Sequence, residues 1–320
     1  MKKVILITLC ALFMFTLMAA CGGGGTTDNP GTADSTPAPT ADNSDNRSTD
    51  GDGDNVNVPD PGPANSFDYD RVIGVHTRES GSGTRDAFVS ITGVGDDMYE
   101  EAVVLGSTNE IRTAVAGSEY AIGYISVGSI NDEIKTLTVD GIFPSDATIL
   151  DGSYALQRPL LVCVTDEMLA NEIVADFIAY MISPQGQENI GSSWTAISDP
   201  GADYEASGLT GELRVGGSTS VEPLMLRMVE GYNALNPGVD IDVSATGSGA
   251  GISGAGEGEL DIGMSSRELR EAELETLTPI VIALDGVAVI VNMVNPLENL
   301  TLDQIREIFV GEITRWNQIG

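Results

Sequence analysis

Histidine and cysteine are nearly missing: 320 residues carry one histidine, His76, and three cysteines, Cys10, Cys21 and Cys163. One imidazole excludes a histidine-based zinc site and leaves no evident general base for a serine nucleophile. Cys10 lies inside the N-terminal apolar stretch and Cys21 at its end, so with both taken up by the leader described below no disulfide framework remains, and Cys163, in the apolar run Leu160 to Val164, reads as a small core residue. Positive charge is scarce too. Against 48 Asp and Glu there are 15 Lys and Arg, a net charge of −33. Nucleic acid and anionic membrane surfaces are bound through clustered cations that displace counterions, so neither is an expected partner, and any anion must be held locally. At 42% hydrophobic and 20% charged, the chain is nonetheless globular in composition and long enough for two ordinary domains.

What is present begins with targeting. Lys2 and Lys3 precede an apolar stretch from Val4 to Ala20, short for a membrane-spanning helix and suited to a signal-peptide core, so residues 1–20 are expected to be removed. The stretch ends Leu17-Met18-Ala19-Ala20-Cys21, which resembles a bacterial lipobox with Met18 where leucine is more usual. That resemblance implies a diacylglyceryl group on Cys21 and attachment to a membrane through the lipid. An ordinary signal peptide with an incidental cysteine is the alternative. From Gly22 to Ser66 the chain is Gly, Thr, Ser, Pro, Asn and Asp with very little that is apolar, which cannot offset its ordering entropy. Residues 21–66 are therefore expected to form a lipidated, disordered tether. Asp50, Asp52 and Asp54 alternate with glycine there but lack the closing glutamate of a calcium loop, so no metal is expected.

After Phe67 short β-branched runs alternate with helical stretches, an α/β pattern. Strands are expected at 71–76, 120–126, 214–216, 239–245, 261–264 and 280–291, and helices at 84–91, 168–181, 222–233 and 302–309. Two lobes, with the chain crossing near residues 150 and 290, fit this length better than one large sheet.

Three turns share one design, in which a strand end is followed by Gly and hydroxyl residues and then by a helix start. They are Ser80-Gly81-Ser82-Gly83-Thr84, Gly216-Gly217-Ser218-Thr219-Ser220 and Gly247-Ser248-Gly249. Glycine lets backbone N–H groups approach an oxyanion, hydroxyls add donors, and a helix N-terminus contributes the positive end of its dipole. One such turn is ordinary. Three in one chain, one of them beside the bidentate fork of Arg78, point to a tetrahedral anion. The stretch Gly249-Ala250-Gly251-Ile252-Ser253-Gly254 fits the dinucleotide pattern GxGxxG, but Gly254, Gly256 and Gly258 leave little helix to cap a pyrophosphate, so no nucleotide cofactor is expected. No motif aims a base at Ser82 or Ser220, which disfavours a serine hydrolase.

These residues carry a family resemblance. Val75-His76-Thr77-Arg78-Glu79-Ser80-Gly81-Ser82-Gly83-Thr84 and Val215-Gly216-Gly217-Ser218-Thr219-Ser220 resemble signatures of the phosphate-binding proteins of high-affinity phosphate ABC importers. Ala121-Ile122-Gly123-Tyr124, Asp261 to Arg267 and Ile313 to Asn317 are similar as well. The resemblance implies a two-lobed periplasmic-binding-protein fold of type II, binding rather than catalysis, inorganic phosphate as ligand and an ABC importer permease as partner. The parts stand in exchanged order. Residues 68–198 resemble the family's second half and 211–320 its first, so the chain resembles a circular permutant in which Gly320 would meet the strand at Arg71 and residues 199–210 would bridge the former termini. A segment of a tandem array would show the same order. On this reading one lobe is 67–150 plus 291–320 and the other is 151–290.

Carried over residue by residue, the resemblance implies phosphate donors at Thr219, the backbone of Ser220 and Ser248 from one lobe. Arg78, Ser82, the N–H of Gly83 and Thr84 would donate from the other, with Arg85 facing out of the first helical turn. Where the family places an aspartate that accepts the proton of hydrogen phosphate, this chain has Ser266, followed by Arg267. A serine accepts a hydrogen bond without repelling a fully deprotonated anion, so discrimination between phosphate and sulfate is expected to be weaker. Glu79 and a backbone carbonyl are the alternative acceptors.

Overall fold

The structure, a computed structural model, describes residues 67–191 and 193–319; the signal segment, Cys21 and the tether lie outside the described residues. Strands and helices alternate. In chain order they are β1 (Gly74–Arg78), α1 (Gly83–Thr92), β2 (Val103–Leu105), α2 (Thr108–Ala116), β3 (Ala121–Ser126), β4 (Ile134–Thr136), β5 (Thr138–Val139), α3 (Asp146–Leu150), β6 (Gln157–Val164) and α4 (Asp166–Leu169). There follow α5 (Glu172–Ile182), α6 (Pro184–Asn189), β7 (Gly211–Gly217), α7 (Glu222–Leu235), β8 (Val239–Ala245), α8 (Ser248–Glu257), β9 (Ile262–Ser265), β10 (Thr278–Asn292), β11 (Asn299–Leu300) and α9 (Leu302–Phe309). Strand β3 is buried at every position, which is why it shows no polar alternation.

The main sheet runs in the order β2-β1-β3-β10-β6-β9-β7-β8, with β4 also on β10. Strand β1 is parallel to β2 and β3 at one end, and β7 is parallel to β8 and β9 at the other. The long β10 serves both ends, pairing antiparallel with β6 through residues 278–286 and with β3 through residues 287–291. Two cores result. One gathers Ile73, Phe88, Tyr124, Leu156, Val287 and Trp316, and the other gathers Leu160, Phe177, Leu213, Tyr232, Met264 and Ile282. Between these two cores the chain passes just after Leu156 and around Gly286.

Two local expectations are corrected. The single helix expected at 168–181 is broken into α4 and α5, because Asn171 leaves the helix and its side chain accepts the N–H groups of Ile173 and Val174. Conversely, the helix expected to start after Gly247-Ser248-Gly249 runs for ten residues as α8, longer than its glycines suggested. A Cβ on Gly251 would stand 2.6 Å from the carbonyl oxygen of Gly216 and from Cα of Gly217. The absent side chain lets the helix lie directly on β7, and that contact outweighs a propensity cost of about 1 kcal/mol per glycine.

The C-terminal segment lies along the first strand. Val72 bridges Arg315, the Ile73 N–H donates to the Thr314 carbonyl at 2.9 Å, and the Asn317 N–H donates to the Tyr69 carbonyl at 2.7 Å. Residues 199–210 connect α6 to β7 without helix or strand.

At the crossing itself, Arg158 of β6 meets Asp285 of β10. Its Nε and Nη2 donate to Asp285 Oδ2 at 3.1 and 2.8 Å, its Nη1 donates to the Ser266 carbonyl at 3.1 Å, and both side chains are almost wholly buried. Burial pulls the guanidinium below the ordinary arginine range, and Asp285 opposes that pull. Removing one partner leaves a buried charge uncompensated. Asp285→Ala is expected to destabilise the protein by about 3 to 5 kcal/mol in urea unfolding, and a loss under about 1 kcal/mol would show that water replaces the carboxylate.

Candidate functional site

Strands β1, β2, β7 and β8 each lead through a short turn into a helix, namely α1, α2, α7 and α8. Such helix starts carry backbone N–H groups with no partner inside the helix, and in open parallel sheets they gather at a crevice beyond the strand ends. Here two starts come from each core, so the crevice has two walls.

Arg78 closes β1 and is only 1% exposed. Its Nε and Nη2 donate to the two carboxylate oxygens of Glu79 at 2.9 and 2.8 Å, and its Nη1 donates to Thr108 Oγ1 at 3.3 Å. Its backbone N–H donates to the Tyr124 hydroxyl at 3.2 Å, and the Tyr124 ring stacks on Phe88 with centroids 4.0 Å apart. Burial raises the Tyr124 phenol above its ordinary range, which keeps it protonated. Glu79, considered above as an acceptor for a ligand proton, instead has both oxygens engaged by Arg78. Nor does Arg85 face outward: its Nη1 turns back to donate to the Arg78 carbonyl at 3.3 Å.

The hydroxyls form one network across the crevice. Thr84 Oγ1 lies 2.8 Å from Ser220 Oγ and 3.5 Å from Ser266 Oγ. Ser266 Oγ lies 3.0 Å from Ser218 Oγ and 3.4 Å from Ser248 Oγ. Thr108 Oγ1 lies 3.0 Å from Ser220 Oγ and 3.3 Å from Thr219 Oγ1. A backbone bond from the Gly249 N–H to the Gly81 carbonyl, at 2.9 Å, also joins the two walls.

Of the residues singled out from sequence, Arg78, Thr84, Thr219, Ser220, Ser248 and Ser266 meet in this network, and Gly83 abuts Ser248 and Ser266. Ser82 is buried in the same turn and caps α1, accepting the Arg85 N–H at 3.3 Å while keeping its own proton to donate. Thr108 and Ser218 were missed. For Thr108 a signal exists, because Leu105-Gly106-Ser107-Thr108 repeats the strand, glycine, hydroxyl and helix design, with Ser107 capping α2. For Ser218 nothing in the order of residues tells which hydroxyl of its turn faces inward. His76 stands apart from the network, with Nδ1 2.9 Å from the Gly74 carbonyl.

Each buried guanidinium beside the site has its own carboxylate, Glu79 for Arg78 and Asp285 for Arg158. With these two charges paired, what the crevice presents is a set of directed N–H and O–H dipoles, with the half-buried Arg85 guanidinium behind the Arg78 carbonyl. Hydroxyls and helix starts offered by two lobes joined by two crossing segments are the architecture of the periplasmic-binding-protein class.

Residues 196–320 match the PBP superfamily domain. The phosphate-binding protein PstS 2 of Streptococcus pneumoniae is 40% identical over 256 residues, covering 77% of this chain and 87% of that one. A solved phosphate-binding protein of a phosphate ABC transporter from the same species is 39% identical, with a TM-score of 0.65, over 78% of this chain and 100% of that one. The chain belongs to the PstS family of phosphate-binding proteins. PstS of Bacillus subtilis aligns over only 145 residues, 44% of this chain and 48% of its own, at 32% identity.

The tightest contact between the walls is at Gly83, where a Cβ would stand 2.3 Å from Ser248 Oγ and 2.8 Å from Ser266 Oγ. Short serine side chains have little room to yield. Gly83→Ala is expected to hold the lobes apart while each stays folded, with an expanded small-angle scattering profile and an unchanged circular dichroism spectrum. A profile as compact as the parent's would show that the serines give way.

Proposed function

We propose that the protein captures inorganic phosphate between its two lobes, 67–156 with 287–319 and 157–286, and delivers it to the permease of an ABC importer while a lipid on Cys21 anchors it to the outer face of the cell membrane. The observation that carries this reading is the meeting of hydroxyls and helix starts from both lobes around buried Arg78, in a chain of the PstS family. Phosphate would exchange the hydroxyl contacts for its own oxygens. Arg78 Nη1, Thr84, Thr108, Thr219, Ser248 and the N–H groups of Gly83 and Ser220 supply donors, and Ser82 adds its free proton. The segments just after Leu156 and around Gly286 serve as the hinge. Closing the hinge completes a dry shell in which such dipoles count for more than in water, so binding and closure are one event.

Ser266 is the proposed acceptor for the proton that phosphate retains near neutral pH, since its Oγ sits at the centre of the network. A serine rewards that proton less than a carboxylate would, which leaves sulfate a weaker competitor but still a competitor. The reading is capture rather than catalysis because a shell of donors with no positioned base can hold an oxyanion without attacking it.

Calorimetric titration of the phosphate-stripped protein with phosphate, sulfate and arsenate tests the ligand. Arg78→Ala is expected to weaken phosphate binding by about 2 to 4 kcal/mol, roughly 30- to 1,000-fold, because it removes a buried charged donor and strands Glu79. Heat from sulfate alone, or equal affinity in the variant, would overturn the assignment.

The anchor has its own test. Cys21→Ser is expected to shift the protein from the membrane fraction to the medium, because the acyl chains are the anchor once the signal is removed. Wholly soluble wild-type protein after fractionation would remove the lipid from the proposal.

A further inference from the structure

We infer that Asp86 is a latch that holds the lobes closed from outside the ligand shell and so sets the rate at which phosphate is released; the inference rests on the capture reading above. Among the described residues, the charge pairs that cross the cleft converge on this one carboxylate. Asp86 stands in the first turn of α1, two residues beyond Thr84, and its Oδ2 accepts from Nη2 of Arg270 at 2.7 Å. Nε of Arg267 lies 2.9 Å from the same oxygen, close enough for strong attraction although not aligned as a hydrogen bond. Both arginines come from the other lobe, immediately after Ser266.

The Arg267 guanidinium is held from within its own lobe, while Arg270 is held there only through its backbone. Glu273 accepts Nη1 and Nη2 of Arg267 at 2.8 Å each and the backbone N–H of Arg270 at 2.7 Å. Pairing with Glu273 raises the Arg267 guanidinium above its ordinary range and holds the Glu273 carboxyl below the usual carboxylate range. A cation already held in place loses little rotamer entropy when Asp86 arrives, so more of the attraction survives as closure.

What surrounds the latch makes it matter. A cavity of about 630 Å³ lies beside it, lined by Asp86, Val89 and Ser90 of α1 and by Arg158, Arg267 and Arg270. On this side the lobes are not packed through apolar surface, and closure depends on charge. The Arg267 side chain is 8% exposed and that of Asp86 24%, so their contact is partly desolvated and stronger than an ordinary surface pair; Arg270, at 66%, adds less. A contact made only in the closed form, and not made to the ligand, retards opening without altering how the open form meets phosphate.

The test compares wild type, Asp86→Asn and the exposed-site variant Arg270→Gln as full chains, using stopped-flow phosphate association and release at low and high sodium chloride. Asp86→Asn is expected to speed release about five- to twentyfold, to leave association within about twofold, and to flatten the salt dependence of affinity. Arg270→Gln should act in the same direction by about two- to fourfold, and the double variant should release no faster than Asp86→Asn alone, since Arg270 acts through that carboxylate. An unchanged release rate, or equal changes in association and release, overturns the latch. If calorimetry shows that wild type does not bind phosphate, the capture reading fails and the latch is judged on the ligand-free chain by small-angle scattering. Expansion in Asp86→Asn, matched by wild type in high salt, then supports it, and superposable profiles reject it.

Discussion

Burial of the Arg78 guanidinium governs the site. A cation with 1% exposure survives inside protein only with its donors satisfied and its charge met, and Glu79, the next residue, does both through two hydrogen bonds. That pairing leaves one nitrogen, Nη1, directed toward Thr108 and so toward the crevice. Tyr124 and Phe88 then hold the strand end that carries it. The charge turned toward the crevice is therefore a single positioned donor, the local kind of donor that the proposed anion capture needs in a chain of net charge −33.

The pairing of Arg78 with Glu79 leaves the remaining work to dipoles, and dipoles act over short distances. Hydroxyls at 2.8 to 3.5 Å from one another across the walls require the two backbones to approach nearly to contact, which is why Gly83 faces Ser248 and Ser266 and why a backbone bond joins Gly81 and Gly249. The same requirement explains the glycines of α8, which lets that helix settle on β7 and present Ser248 at its first turn. Arg158 and Asp285 anchor the back of the site, tying the Ser266 carbonyl to both strands at the crossing. Site and hinge region are thus one connected structure.

The exchanged order of the halves costs this architecture nothing. The contacts that make the site are between turns, and the turns stay at the ends of the same strands whichever half comes first. Segments 69–73 and 314–317 lie side by side, with the Ile73 N–H donating to the Thr314 carbonyl and the Asn317 N–H to the Tyr69 carbonyl.

Much of this was legible from residue order because it depends on local chemistry. A glycine-hydroxyl turn between a strand and a helix is specified within seven residues, so Ser82, Gly83, Thr84, Thr219, Ser220 and Ser248 stood out, and β-branched runs marked the strands they follow. Helix breaks were harder to read. Asn171 ends α4 by capping α5, a choice that competes closely with continuing the helix, and α8 forms because packing against β7 overrides its glycines. Relations between distant residues were not legible at all. That Thr108 from a fourth turn joins the network, and that Asp86 meets Arg267 and Arg270 some 180 positions away, are decided by where two lobes touch. Sequence alone determined the turn chemistry, the charge balance and the α/β alternation, since each is a property of neighbours along the chain. The tertiary structure decided which hydroxyls converge and which charges pair, because hydrogen bonds and ion pairs depend on distances of about 3 Å that residue order does not contain.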